Sequence, residues 1–226
     1  METIAMIVAA GRGLRAKGQL PKQYERSQNK RMLSLTIQGL FNCKKIDAIL
    51  VIINPLDLDL YLDSIQNFKT SRLLNHCFGG SERTKTVANG LTELKKYSPK
   101  NLLIHDAARP FVSVSLIERV LYSLKNSQAV LPVLPIVDAV WEKVKNDYSD
   151  QCIKPGPDRN NFLLAQTPQG FDYETICSAY KDFKKNAPDD ITIAHNAGIK
   201  ISTVSGDLKN RKITSKEDLE FFKGMK

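Results

Sequence analysis

No Cys-x-x-Cys pair occurs in this chain of 226 residues, and its four cysteines, Cys43, Cys77, Cys152 and Cys177, stand far apart. A disulfide scaffold and a cysteine-built zinc site are thereby excluded, and the thiols read as reduced, in a cytoplasmic protein. Histidine is scarce as well. His105 and His195 have no ligand partners at metal-site spacing and read as structural. No apolar run approaches the roughly 20 residues needed to cross a bilayer. The short run near the start follows Glu2 rather than a basic segment, which predicts a strand and not a signal peptide. Aromatics are few, and the single tryptophan, Trp141, reads as packing. The net charge of +9 therefore lacks the stacking platform of a nucleic-acid binder. Many lysines lie in surface-helix patterns such as Glu93–Lys100, and an anionic small molecule accounts better for the local clusters. Internal repeats and low-complexity linkers are missing, so 1–226 is read as one domain.

What is present is an alternation of apolar runs with amphipathic stretches, the pattern of a mostly parallel sheet. It predicts strands at Ile4–Ala9, Ala48–Ile53, Leu102–His105, Ala129–Pro135 and Lys200–Val204. Helices are predicted near Met32–Phe41, Leu56–Ile65, Arg83–Leu94 and Val114–Ser123, then near Tyr173–Lys184 and Lys216–Phe222. Thr214, with Glu217 three residues on, has capping-box spacing for the last of them. The rhythm breaks over 136–171. Alternation at Val140–Val144 predicts a short hairpin strand, and Pro155-Gly156-Pro157 forces a turn. An excursion of that length from a sheet is functional or serves an oligomer.

Three clusters fall where loops leave the carboxyl edge of the sheet, the ligand side of such folds. The first is Ala9–Tyr24, whose Gly11 and Gly13 follow a strand. Ala16 stands where a dinucleotide fingerprint needs its third glycine, and no Gly-Lys-Ser/Thr completes a Walker A loop. The loop instead adds Arg12, Arg15, Lys17 and Lys22. The second, Gly79–Val87, places two glycines before a helix with Arg83 and Thr86 in its first turns. The third, His105–Pro110, offers Asp106 and Arg109. An aspartate at a strand end near phosphates suits Mg²⁺, while the same spacing suits a structural pair capping the next helix. Asp189-Asp190 is likewise open between a second carboxylate pair and an N-cap. An acidic ribose-binding residue after the second strand, as a dehydrogenase would need, is replaced by Asn54-Pro55, with Asp57 a little later.

Taken in order, these motifs are Ala9-Ala10-Gly11-x-Gly13-x-Arg15, Pro21-Lys22-Gln23-Tyr24 and Gly79-Gly80-x-x-Arg83-x-x-Thr86-Val87. His105-Asp106-Ala107-Ala108-Arg109-Pro110, Gln166-Thr167-Pro168-Gln169 and Asn210-x-Lys212-Ile213-Thr214 follow. Together they resemble the 2-C-methyl-D-erythritol 4-phosphate cytidylyltransferases of the non-mevalonate isoprenoid pathway, over essentially the whole chain. The resemblance implies a single Rossmann-like α/β nucleotidyltransferase domain with a mostly parallel twisted sheet. It also implies a protruding β-arm within 136–171 that is used in dimerisation. The implied reaction moves CMP from CTP to the sugar-alcohol phosphate with Mg²⁺. The product is 4-diphosphocytidyl-2-C-methyl-D-erythritol, with pyrophosphate released.

By the same resemblance Arg15, Lys22 and Lys212 are the catalytic residues, clamping the triphosphate and its developing charge. Ala9, Ala10, Gly11, Gly13, Gly80, Ser81 and Thr86 hold CTP. Asp106 ligates the metal, and Asp106, Arg109, Lys212 and a partner subunit's Arg159 receive the sugar phosphate. A homodimer is implied, and some similar proteins are fused to a later enzyme of the pathway. The chain departs from the family pattern at Ala139, Trp141 and Pro188, which bear on the second substrate. The nearest rival is ribitol-5-phosphate cytidylyltransferase. Ala9-Ala10-Gly11 and Ala108 favour methylerythritol phosphate over it.

Overall fold

A computed structural model describes residues 1–12, 20–143, 153–183 and 187–224. The first half of the chain runs β1 (Thr3–Ala9), β2 (Arg26–Ser27), β3 (Lys30–Arg31), α1 (Met32–Phe41), β4 (Ala48–Ile53), α2 (Leu58–Ile65), β5 (Cys77–Phe78), α3 (Arg83–Leu94) and β6 (Asn101–Asp106). The second half adds α4 (Val114–Ser123), β7 (Ala129–Pro135), β8 (Trp141–Lys143), β9 (Ile153–Pro155), β10 (Leu163–Ala165), β11 (Gln169–Asp172), α5 (Tyr173–Asp182), α6 (Asp190–Asn196), β12 (Ile201–Ser205) and α7 (Lys216–Gly224).

Every residue of β4 is buried, and so is nearly all of β1, because helices cover both faces of the sheet. Such strands read as unbroken apolar runs. Side chains alternate between faces. Ala5, Ile7, Ile49 and Val51 pack on one side with Leu33 and Ile37 of α1 and Leu116 of α4. Ile4, Met6, Leu50 and Ile52 pack on the other with Val87 of α3 and Ile176 of α5. The result is a single α/β domain in three layers.

The sheet has eight strands in the order β10-β7-β11-β6-β1-β4-β5, with β12 on the other edge of β7. β1 is parallel to β4 and β6, β4 to β5, and β7 to β12. β11 and β10 run antiparallel to their neighbours. Register then fixes the site: Val8 lies beside Asp106, and Ala9 beside Ile53. The segments after β1, β4 and β6 therefore leave the sheet at one level.

Most expected elements appear, and the differences have local causes. β11 enters the middle of the sheet although Gln169-Gly170-Phe171-Asp172 holds one large apolar residue. α6 was hidden by its brevity. The last helix starts at Lys216 as expected, but its cap differs: Ser215 Oγ accepts from Asp218 N, and Asp218 Oδ2 accepts from the N–H groups of Thr214 and Ser215. The capping box is thus Ser215/Asp218 and not Thr214/Glu217. Of the hairpin strand expected over Val140–Val144, Trp141–Lys143 form β8, paired with β9 and with every residue of both exposed, and Val144 lies outside the described residues. Trp141 does not pack as expected but is 56% exposed. Among the described residues, no helix is long and apolar enough to cross a membrane.

Candidate active site

The carboxyl edges of β1, β4 and β6 open into a cleft of about 350 Å³. Its walls include Ala9, Ala10, Gly11, Lys22, Gly80, Ser81, Thr86, Asp106 and Lys212, nine of the residues read as site residues. Gly13 and Arg15 lie outside the described residues.

The first loop is fixed from below. Gln23, almost fully buried, donates through Nε2 to the carbonyls of Ala9 at 2.7 Å and Gly11 at 2.8 Å. The second loop abuts the first so closely that a Cβ on Gly79 would stand 2.5 Å from the Cβ of Ala10. Only glycine fits there. Thr86 Oγ1 accepts from the Gly80 N–H at 3.1 Å and donates to the Glu82 carbonyl at 2.9 Å, which ties this loop to the start of α3.

Arg83 also faces the cleft, gripped by a partner far along the chain. Its NH1 and NH2 donate to Asp190 Oδ1 and Oδ2 at 2.9 and 2.6 Å, and Asp190 is fully buried. Gln169 Oε1 accepts from the N–H groups of Asp190 and Ile191. Asp189 is the N-cap of α6, its Oδ1 accepting from Thr192 N at 2.9 Å. Of the readings left open, the N-cap holds for Asp189, while Asp190 is turned to Arg83 and does not form a carboxylate pair with its neighbour.

Asp106 has the densest surroundings. Lys212 Nζ lies 2.9 Å from its Oδ2, and Arg109 Nε donates to the same oxygen at 3.4 Å. Burial raises the pKa of Asp106, but Lys212, Arg83 and Arg109 together outweigh it and hold the carboxyl well below its usual range. Arg109 is buried behind this carboxylate and is not on the cleft wall. Its NH1 donates to the Asn210 carbonyl at 2.8 Å and its NH2 to that of Ala165 at 3.4 Å. Ser113 rather than the Asp106–Arg109 pair caps α4. Lys212 is held over Asp106 because Asn210 Nδ2 donates to the Thr167 carbonyl at 2.7 Å and Ile213 N to the Ala108 carbonyl at 2.9 Å. Arg159 lies apart from this cleft, exposed, bonded to the Val137 carbonyl at the return of the arm.

His105 braces the turn. Thr167 Oγ1 accepts from Asp106 N and donates to His105 Nδ1, whose Nε2–H then donates to the Arg109 carbonyl. Burial pushes the imidazole pKa down from 6.5 to about 4, against the pull of that carbonyl and of Asp106. The unfolded chain therefore binds a proton that the folded one refuses. Stability is expected to fall as pH drops below about 6.5 and to keep falling to about 4. A His105→Gln variant should lose less stability across that window. Identical urea midpoints against pH for the two proteins would refute the assignment.

The roles of Gln23, Asn210 and Thr167 were not readable from composition or spacing, though each stands inside a quoted motif. The pairing of Arg83 with Asp190 gave no sequence signal.

A helix-covered, mostly parallel sheet with glycine-bearing loops and clustered cations at its carboxyl edge defines an α/β fold that takes phosphorylated ligands there. Residues 3–223 match the family described as IspD, 2-C-methyl-D-erythritol 4-phosphate cytidylyltransferase, and the chain belongs to that family. It is 36% identical over 220 residues to the bifunctional enzyme IspD/IspF of Rhodopseudomonas palustris, covering 96% of this chain and 54% of that protein. The corresponding protein of Paramagnetospirillum magneticum is also 36% identical, with 97% and 55% covered. The chain thus spans about half the length of the curated relatives it matches. A solved 4-diphosphocytidyl-2C-methyl-D-erythritol synthase from Anaerococcus prevotii superposes with a TM-score of 0.80 at 28% identity, covering 98% of this chain and 96% of that one. The 2-C-methyl-D-erythritol 4-phosphate cytidylyltransferase of Thermus thermophilus does so with a TM-score of 0.73 at 28% identity, covering 99% and 98%. The resemblance drawn from the motifs is borne out.

Proposed function

We propose that this chain transfers CMP from CTP to 2-C-methyl-D-erythritol 4-phosphate, releasing pyrophosphate. The observation that carries the reading is the convergence of Lys22, Lys212 and Asp106 on one cleft walled by two glycine-bearing loops. An oxygen of the substrate phosphate attacks the α-phosphorus of CTP in line with the departing pyrophosphate. No covalent nucleophile is required, so catalysis is positioning and charge stabilisation. Ala9–Gly11 and Gly80–Ser81 receive the nucleoside, while Lys22, Lys212 and Arg15 of the same loop oppose the phosphate charge. Arg109 acts through Asp106 by fixing its orientation.

The site fits a divalent cation. Asp106 is held ionised, and the two cations bonded to it both sit on Oδ2, which leaves Oδ1 for a metal. Mg²⁺ takes one or two carboxylates and fills its shell with phosphate oxygens and water. Among the described residues, no group of three metal-ligating side chains forms a protein cage. Bound beside Asp106, Mg²⁺ would neutralise phosphate charge.

The direct assay mixes protein and Mg²⁺ with one nucleoside triphosphate and one alcohol phosphate, and follows pyrophosphate. CTP should outpace ATP, GTP and UTP at subsaturating concentration, because each donor or acceptor left unpaired by a wrong base costs about 1–3 kcal/mol. Equal use of CTP and ATP would end the reading. Faster turnover with ribitol 5-phosphate than with the methylerythritol phosphate would move this chain to the rival activity.

The arm serves the partner subunit in this proposal. Trp141 of β8, Ile153 of β9, Phe162 just before β10, and Leu163 and Leu164 of β10 are large apolar side chains, each more than 40% exposed. Large apolar side chains exposed in this number on the arm are ones that a second copy would cover. Arg159 of each subunit would then complete the other's site. Chains carrying Asp106→Ala and Arg159→Ala, each inactive alone, should recover about one quarter of wild-type activity when refolded together. Half of the dimers are mixed, and each mixed dimer keeps one intact site. Mixed dimers that form, verified by mass tags, and stay inactive would refute the shared site.

A further inference from the structure

Among the described residues of the glycine-rich loop, Arg12 is a cation to which the proposed reaction gives no task. Arg12 stands on the cleft wall, yet its NH1 donates to Asp57 Oδ1 at 2.6 Å. Asp57 ends the 3-10 turn Pro55–Asp57 just after β4, and its side chain is 3% exposed. Its other oxygen, Oδ2, has no hydrogen-bond partner among the described residues, and neither has the fully buried hydroxyl of Tyr24. Burial, then the charge of Asp57, raise the pKa of that phenol, while Arg12 and Arg31 pull it down. The phenol and the carboxylate are thus both buried, while Arg12, about half exposed on the cleft wall, reaches the carboxylate from outside.

Two roles compete for Arg12. As a phosphate clamp it would leave Asp57 when nucleotide arrives; as an anchor it would stay. Leaving strands a carboxyl group that is almost wholly buried and already has one oxygen unpartnered. Removing one member of such a pair is far costlier than losing an exposed one. The incoming phosphate would compensate Arg12 but not Asp57. The balance favours staying. Meanwhile Gln23 grips the same loop through the carbonyls of Ala9 and Gly11. The loop is therefore held at two points, one polar and one ionic.

We propose that Asp57 is a positioning residue for nucleotide binding: through Arg12 it anchors the glycine-rich loop, and Arg12 is not a phosphate ligand. The inference rests on the proposed function and deepens it, because the nucleoside-binding backbone of 9–11 is then set by a carboxylate at the end of β4.

The test is calorimetric binding of CTP and of CMP to the wild type, Arg12→Gln, Asp57→Asn and the double variant, with the melting temperature of each. Each single change should weaken CTP roughly 10-fold, the scale of one hydrogen bond between charged groups. CMP should weaken by the same factor, because the defect lies in the loop backbone and not at the outer phosphates. The double variant should be no worse than the weaker single, since both remove one contact. A clamp predicts the opposite sign at Asp57: Asp57→Asn would release Arg12 and tighten CTP, while Arg12→Gln would spare CMP. Either outcome overturns the anchor. Unchanged binding with a lowered melting temperature also overturns it, leaving a purely structural pair. Wild-type protein that binds no CTP would overturn the functional reading itself, before any variant is compared.

Discussion

Replacing Lys22 by alanine is expected to lower turnover at saturating CTP by roughly 10²-fold or more, about 2.7 kcal/mol of transition-state stabilisation. The size follows from how firmly this lysine is carried. Pro21 precedes it, and the 3-10 turn closes through Tyr24 N to the Pro21 carbonyl at 2.8 Å. Gln23 and Tyr24, at the end of the turn, are buried, and Gln23 is bonded to the carbonyls of Ala9 and Gly11. Glu25, next along, is paired with Lys223 of α7 at 2.8 Å. A charge borne on so fixed a backbone needs no reorganisation when the phosphates change geometry, which is the condition for a large electrostatic effect. The folded state should hardly notice, because Lys22 is only half-buried and partial truncations of that kind fall within about 0.5 kcal/mol. Steady-state kinetics beside a urea melt separates the two effects. Near-normal turnover at saturating CTP would remove Lys22 from the reaction, and an equal loss of stability would make it a folding residue.

What the sequence could disclose about this site was its local part. Gly11, Gly79 and Gly80 stand out because a strand followed by glycines has few other uses, and Lys22 stands out beside them. β1 and β4 were legible because burial on both faces demands an unbroken apolar run. The geometry around Asp106 was not legible. Lys212 reaches it from the far end of the chain, suspended from the Thr167 and Ala108 carbonyls, and no periodicity encodes that meeting. Arg109 shows the same limit in another form. Its spacing from Asp106 left open whether the two form a structural pair, and the carbonyls of Asn210 and Ala165 that its guanidinium reaches lie far along the chain, where spacing carries no signal. β11 escaped because an antiparallel strand held by the sheet on both sides needs little intrinsic propensity, and tertiary pairing overrides it.

Asp190→Ala should be the most damaging single change to stability, at about 3–5 kcal/mol. Its carboxylate is fully buried and receives Arg83 on both oxygens as well as the hydroxyl of Tyr180. Truncation leaves a mostly enclosed guanidinium and a phenol without their acceptor, and opens space where the carboxylate stood. Most of the loss is then the cost of the orphaned partners rather than the worth of the pair, because two charges brought out of water recover little net energy from each other. That distinction can be measured. The double change Arg83→Met with Asp190→Leu removes both charges and keeps the volume, so it should be markedly more stable than Asp190→Ala alone. Asp190→Asn, which retains one acceptor, should fall between. Urea unfolding of the four proteins gives the order directly. If the double variant proved as unstable as Asp190→Ala, the ion pair itself would be the stabilising element and the desolvation argument would fail. If Asp190→Ala lay within about 1 kcal/mol of wild type, the buried pairing of α3 with α6 would not be holding this edge of the cleft at all.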